Sequence, residues 1–138
     1  MQITHQADYA IRTMVYLASQ DPNQRIATSQ IAKDYQIPPS FLTKIVSQLS
    51  IAGLIHTSRG ARGGVTLARS PDEISLLDVL EAIDGPVLMN ECVSDTCYCP
   101  FKGTCNIHRF WCDMKQEVTE RMRGATLAQL AAKEPVAA

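Results

Sequence analysis

The sequence predicts a mostly α-helical chain with one small β-hairpin, closed by a long C-terminal helix. Three observations predict it. Apolar residues recur at helical spacing over 5–19 and again over 42–49. Two short alternating segments, 54–57 and 65–67, flank a glycine-rich tip. Ile107, Trp111, Met114 and Val118 follow one another at four, three and four residues, the spacing of a coiled-coil seam.

In chain order, Ala7, Ala10, Ile11, Met14, Val15, Leu17 and Ala18 give the first helix one broad apolar face, and Asp21-Pro22-Asn23 ends it. Thr28 or Ser29 is expected to cap a short helix that carries Ile31 and Ala32 and closes near Tyr35. In Ile37-Pro38-Pro39-Ser40 a proline follows both Ile37 and Pro38, which keeps those two residues out of helix. The next helix is therefore expected from near Ser40, with Leu42, Ile45, Val46 and Leu49 inward and Gly53 as its stop. Helix, short turn, helix is a helix-turn-helix pattern. The following hairpin turns through Ser58-Arg59-Gly60-Ala61-Arg62-Gly63-Gly64, a doubly basic tip that reads as a wing.

Ser75 with Asp78 predicts a capping box for a helix to about Ala82, with Ile74 as a hydrophobic staple and Gly85-Pro86 as the stop. Residues 86–104 show no period and are expected to be loop. The long helix begins near Thr104 or Cys105, and Thr126 with Gln129 caps a last short helix through Leu127, Leu130 and Ala131. Together these elements make a winged helix-turn-helix over 1–84, a cysteine-rich loop over 85–104, and a dimerisation helix with its tail over 105–138. An apolar seam on one exposed helix needs a partner, and a second copy of the chain, giving a homodimer, is the simplest.

The 138 residues suffice for one domain with an appendage or two very small ones. Hydrophobic and charged fractions of 46% and 20% are those of an ordinary soluble protein. Arg12 interrupts the first apolar stretch, so it reads as no signal peptide, and no run approaches a membrane span. A cytoplasmic location is expected, where clustered cysteines point to metal or redox chemistry rather than to disulfides. Charge is divided: residues 1–69 hold seven Lys/Arg against three Asp/Glu, and residues 70–138 hold six against eleven. A basic half joined to an acidic half fits a nucleic-acid reader attached to a module with another task.

If 40–52 is a recognition helix, Ser40, Thr43, Lys44, Ser47 and Gln48 are the polar residues available to the major groove of a double-stranded DNA operator. Arg59 and Arg62 on the wing suit the phosphate backbone or a narrow minor groove. All five cysteines, Cys92, Cys97, Cys99, Cys105 and Cys112, fall within 92–112, with His108 among them. Cys112 follows Cys105 by seven residues, a rise of about 10 Å along a helix. That is too far for both to hold one small cluster, so Cys112 is expected to pack beside the dimer seam.

The order helix, helix-turn-helix, Ala52-Gly53-Leu54-Ile55, Arg59-Gly60, Gly63-Gly64, Leu67-Ala68-Arg69 resembles the BadM/Rrf-two family of winged-helix transcription regulators. The resemblance extends to about residue 131, and its most specific pieces are the wing and the cysteine cluster ahead of the long helix. It implies a homodimer joined by that helix, with Ser40, Thr43 and Arg59 as base readers. Thr43 stands where the family commonly has glutamate or glutamine, so a different recognised sequence is expected.

Iron–sulfur members of the IscR and NsrR type supply three cysteines with five residues before the last. Cys92, Cys99 and Cys105 match that pattern, with Cys97 as the rival for the middle position. For the fourth ligand, Cys105-Asn106-Ile107-His108 resembles the IscR pattern, where histidine completes a 2Fe–2S site. Asp8 matches the position from which NsrR-like members donate a carboxylate across the dimer to a 4Fe–4S cluster. The resemblance favours His108 and 2Fe–2S, with Asp8 and 4Fe–4S as the alternative.

The expected activity is thus DNA-binding control of transcription, set by a cluster that senses iron, redox or nitric oxide status. The same scaffold would also serve a zinc-stabilised regulator with cysteine and His108 ligands, or a thiol–disulfide switch. An electron carrier leaves the basic wing without a purpose. No nucleophile–base set or phosphate loop suggests an enzyme.

Overall fold

The computed structural model describes residues 2–94 and 99–132. Helix α1 (His5–Ala18) starts at Thr4, whose side chain accepts a hydrogen bond from the Ala7 N–H. It buries Ala7, Ala10, Met14 and Leu17, and also Thr13, whose hydroxyl donates to the Tyr9 carbonyl at 2.8 Å. α1 packs against α3 (Pro39–Ile51), α4 (Leu76–Asp84) and α6 (Leu127–Leu130), so it is the spine of the core.

Helix α2 (Thr28–Asp34) begins without a side-chain cap, and Thr28 and Ser29 do not cap it as expected. The reason lies one residue earlier. Ile26 pairs in an antiparallel bridge with Val65, so the chain leaves a strand-like segment and enters the helix directly through Ala27. In the turn before α3, Gln36 takes φ 53°, a left-handed conformation unusual for a residue with a Cβ. Pro39 sits in the first turn of α3, where its missing N–H costs nothing. Gly53, at φ 74°, ends α3 in a Schellman arrangement: its N–H donates to the Ser50 carbonyl and that of Leu54 to Leu49, both at 3.0 Å.

Strands β1 (Ile55–Ser58) and β2 (Gly64–Leu67) form the wing as an antiparallel pair, with Ser58 opposite Gly64 and Ile55 opposite Leu67. The expected capping boxes at Ser75/Asp78 and Thr126/Gln129 are both present, and Gly85 at φ 77° follows α4. Among its described residues, the expected loop over 86–104 contains a 3-10 turn, Glu91–Val93, which packs against α5 (Asn106–Gly124).

Two apolar clusters hold this together. The main one joins Met14, Ile31, Leu42, Ile45, Leu49, Leu54, Ile55, Val65, Ile74 and Leu127. Leu127 reaches it because residues 125–128 return to the winged domain. Leu76 N–H donates to the Ala125 carbonyl at 2.8 Å, and Leu127 N–H to that of Ile74 at 2.9 Å. The end of α5 is thereby pinned to the winged domain. The second cluster is Ala7, Leu77, Leu80 and Val87, with Val118 and Met122 of α5 packed on it. Val118, expected on an intermolecular seam, is half-buried against its own chain.

Candidate nucleic-acid interface and metal centre

Leu42, Ile45 and Leu49 bury one face of α3, and Ser40, Thr43, Lys44 and Ser47 stand exposed together on the opposite stripe. Thr43 donates its hydroxyl to the Pro39 carbonyl at 2.9 Å, leaving its methyl group and an oxygen lone pair for a base. Ile51 continues the stripe at 84% exposure, and the sequence reading missed it because it sought polar residues there.

Gln48 is placed differently. It is half-buried on the flank facing α1, where Gln6 Nε2 donates to its Oε1. Phe41 lies on the same flank, edge-on to Tyr9 with ring centroids 6.2 Å apart. Two α1 side chains therefore brace the recognition helix, a contact between segments far apart in sequence.

On the wing, Arg59 and Arg62 are exposed, and neither forms a salt bridge among the described residues. The glycines around them are sterically required. A Cβ on Gly63 would lie 2.4 Å from the Ser58 carbonyl oxygen, and one on Gly64 would lie 2.5 Å from that of Ile26. Gly60 (φ 101°) supplies the remaining reversal at the tip.

The cysteine region is built around the start of α5. Asn90 caps the Glu91–Val93 turn, its side-chain oxygen accepting from the Glu91 N–H at 2.8 Å, and Val93 is buried. Cys92 on this turn is half-buried, as are Cys99 and Cys105. A tight turn links the last two: Lys102 N–H donates to the Cys99 carbonyl at 3.2 Å, and Cys105 N–H to that of Phe101 at 2.9 Å. Cys105 is the N-cap residue of α5, without a side-chain capping bond, and the positive end of the helix dipole nearby favours anionic donors there.

One turn into α5, the Nδ1 atom of His108 is buried with no hydrogen-bond partner among the described residues, while its Nε2 lies 3.4 Å from the Cys112 sulfur. Cys112, expected beside a dimer seam, is exposed in the single chain. Asp8 is half-exposed on α1 and paired with Arg12 at 2.9 Å. Cys97 lies outside the described residues. Among the described residues, no three His, Cys, Asp or Glu side chains converge as a metal-holding group. The donor chemistry nevertheless fits iron: half-buried sulfurs beside a helix N-terminus, and an imidazole nitrogen with nothing else to bind.

The profile of the Rrf2 family, described as iron-dependent transcriptional regulators, matches residues 3–133. The chain belongs to the Rrf2 family. The HTH-type transcriptional regulator NsrR of Shouchella clausii is 33% identical over 108 residues, spanning 78% of this chain and 72% of that protein. The structure of CymR, the global cysteine regulator of B. subtilis, superposes with a TM-score of 0.79 at 27% identity, covering 98% of this chain and 99% of the other. The oxidized form of Staphylococcus aureus CymR gives 0.75 at 26%, covering 99% and 100%.

This Rrf2 chain is accordingly a transcription regulator and not an enzyme, and its family implies DNA binding. The winged helix-turn-helix expected from the sequence is the fold it adopts. Among the described residues, no helix is long and apolar enough to cross a membrane.

Proposed function

We propose that this Rrf2 regulator binds operator DNA as a homodimer and that an iron–sulfur cluster held by Cys92, Cys99 and Cys105 sets its affinity. His108 is the fourth ligand, with Asp8 from a second copy as the rival. The observation that carries this reading is the buried, unpartnered Nδ1 of His108, one turn after Cys105. The pairing of Asp8 with Arg12 further favours histidine over carboxylate. The family's iron dependence supports iron as the metal.

When bound, an iron–sulfur cluster supplies a one-electron couple and iron–ligand bonds that small molecules can displace. The chain's own part is mechanical. Cys105 occupies the N-cap position of α5, so a metal that holds its sulfur also restrains the start of that helix. Val118 and Met122 carry the position of α5 to α4, and α4 packs on α3, whose exposed Ser40, Thr43, Lys44 and Ser47 meet the bases and phosphates. Arg59 and Arg62 add backbone contacts from the wing.

No residue of α5 is fully buried, and Ile107 (66%) and Phe110 (56%) are its exposed large apolar residues. Half-buried Trp111 and Met114 adjoin them. A strip this apolar on a 19-residue helix supports pairing with a second copy.

The likeness to CymR favours a second reading, in which cysteine oxidation controls DNA affinity directly. Anaerobic purification separates the two. A coloured protein with matching iron and sulfide, whose operator affinity changes on cluster removal, is the expected result. A colourless protein, whether zinc-loaded or metal-free, with affinity that responds to a thiol oxidant would overturn it.

A further inference from the structure

We infer that Cys112 is the residue that positions His108 for metal binding, a role that rests on His108 being the fourth ligand. Cys112 lies four residues after His108 on the same face of α5, and its sulfur is 3.4 Å from Nε2. The other ring nitrogen, Nδ1, is buried and has no partner among the described residues. These two facts select a tautomer.

A proton on Nδ1 would leave a buried N–H without an acceptor, which folded proteins rarely tolerate. A proton on Nε2 gives that N–H the cysteine sulfur as acceptor and leaves Nδ1 as a bare lone pair. A bare, oriented lone pair is what a metal ligand must present. Along α5, Cys112 stands one turn beyond His108, and His108 one turn beyond Cys105. With Nε2 held by Cys112, Nδ1 is the nitrogen left to meet a metal.

Metal-ligating histidines are generally held through their second nitrogen by a carboxylate, carbonyl or water. Here a thiol takes that place. This also accounts for a fifth cysteine that lies too far from Cys105 to share its metal. Cys112 touches the ligand and not the iron, so it is a positioning residue.

The test uses the full chain in two states. In cluster-free protein with isotope-labelled histidine, at a pH where the ring is neutral, nitrogen and carbon NMR shifts should report the Nε2–H tautomer at His108. Cys112→Ala should convert it to a mixture. In loaded protein, Cys112→Ala should keep the visible spectrum close to the parent's while releasing iron to a chelator about 10-fold faster or more. It should also change the histidine-nitrogen hyperfine coupling of the reduced cluster. Cys112→Ser, whose oxygen accepts the same N–H, should restore all three.

His108→Ala separates this inference from the reading beneath it. A spectrum indifferent to His108→Ala removes the histidine ligand, and the role of Cys112 with it. If His108→Ala alters the spectrum while Cys112→Ala changes neither tautomer nor release rate, only the role of Cys112 is overturned. Bleaching by Cys112→Ala without rescue by serine would make the thiol itself a ligand, and so also overturn it.

Discussion

Replacing Gly64 with alanine should loosen the wing from the rest of the domain. Gly64 has φ 152°, a conformation that L side chains rarely adopt. A Cβ there would stand 2.5 Å from the Ile26 carbonyl oxygen and 2.8 Å from its carbon. Both are backbone atoms, so no side-chain rotation relieves the clash. The contact holds the Ile26–Val65 bridge, whose two hydrogen bonds measure 2.9 and 3.1 Å. Backbone strain of this kind costs about 1–3 kcal/mol. Each bridge bond lost adds about 0.5–1.5 kcal/mol. The expected destabilisation is therefore about 2–6 kcal/mol with both bonds lost, a large share of the roughly 5–15 kcal/mol that holds a domain folded.

Urea unfolding followed by circular dichroism measures that cost, and operator binding by fluorescence anisotropy follows the wing. Gly124→Ala is the control: it has open space around its Cβ and no positive φ, and should be neutral or slightly stabilising. Gly64→Ala should lower the unfolding midpoint and weaken DNA binding at a temperature where the variant is still folded. Parental stability in Gly64→Ala would refute the close approach of wing and Ile26 segment. Lost stability with parental affinity would refute the role of the wing in binding DNA.

Further outcomes follow from other positions. Arg59→Ala should cost about 1–3 kcal/mol of operator binding if the guanidinium reads a base, whereas Lys44→Ala should lower the salt-dependence slope by about one if it meets a phosphate; titrations at several salt concentrations measure both. Trp111→Glu and Phe110→Glu should give monomers with weakened operator binding, and an intact dimer by sedimentation velocity would count against pairing through α5. Gln36→Gly should stabilise the domain by up to about 1 kcal/mol by relieving the left-handed φ, and Gln36→Val should destabilise it, both read from urea midpoints.

Local signals in the sequence were legible because their partners lie within a few residues. Ser75 with Asp78, Thr126 with Gln129, and the stop at Gly53 each depend on contacts that span three to five residues, and each is present. The start of α2 was misread because its cause is not local. Ile26 is drawn into pairing with Val65, 39 positions away, and the helix entry follows from that. Gln48 shows the same limit: its polarity and spacing suit a groove, but Gln6, 42 positions earlier in the chain, engages it.

The long helix shows what periodicity leaves undetermined. A four-three-four spacing identifies an apolar face but not what covers it, and α5 divides its face between two partners. Val118 packs in part on the cluster of Ala7, Leu77, Leu80 and Val87 in its own chain, while Ile107 stays exposed. Phe110, one residue off the seam, escaped notice because the spacing rule passes over it. For the cysteines, spacing supplies a set of donors and a count of intervening residues, and it treats Cys112 as surplus. Only the fold places that sulfur 3.4 Å from one nitrogen of His108 while the other is buried without a partner. In a helix the residue four positions on is a neighbour rather than a distant one. The same seven-residue separation that keeps Cys112 from sharing a metal with Cys105 therefore puts it within reach of the histidine between them.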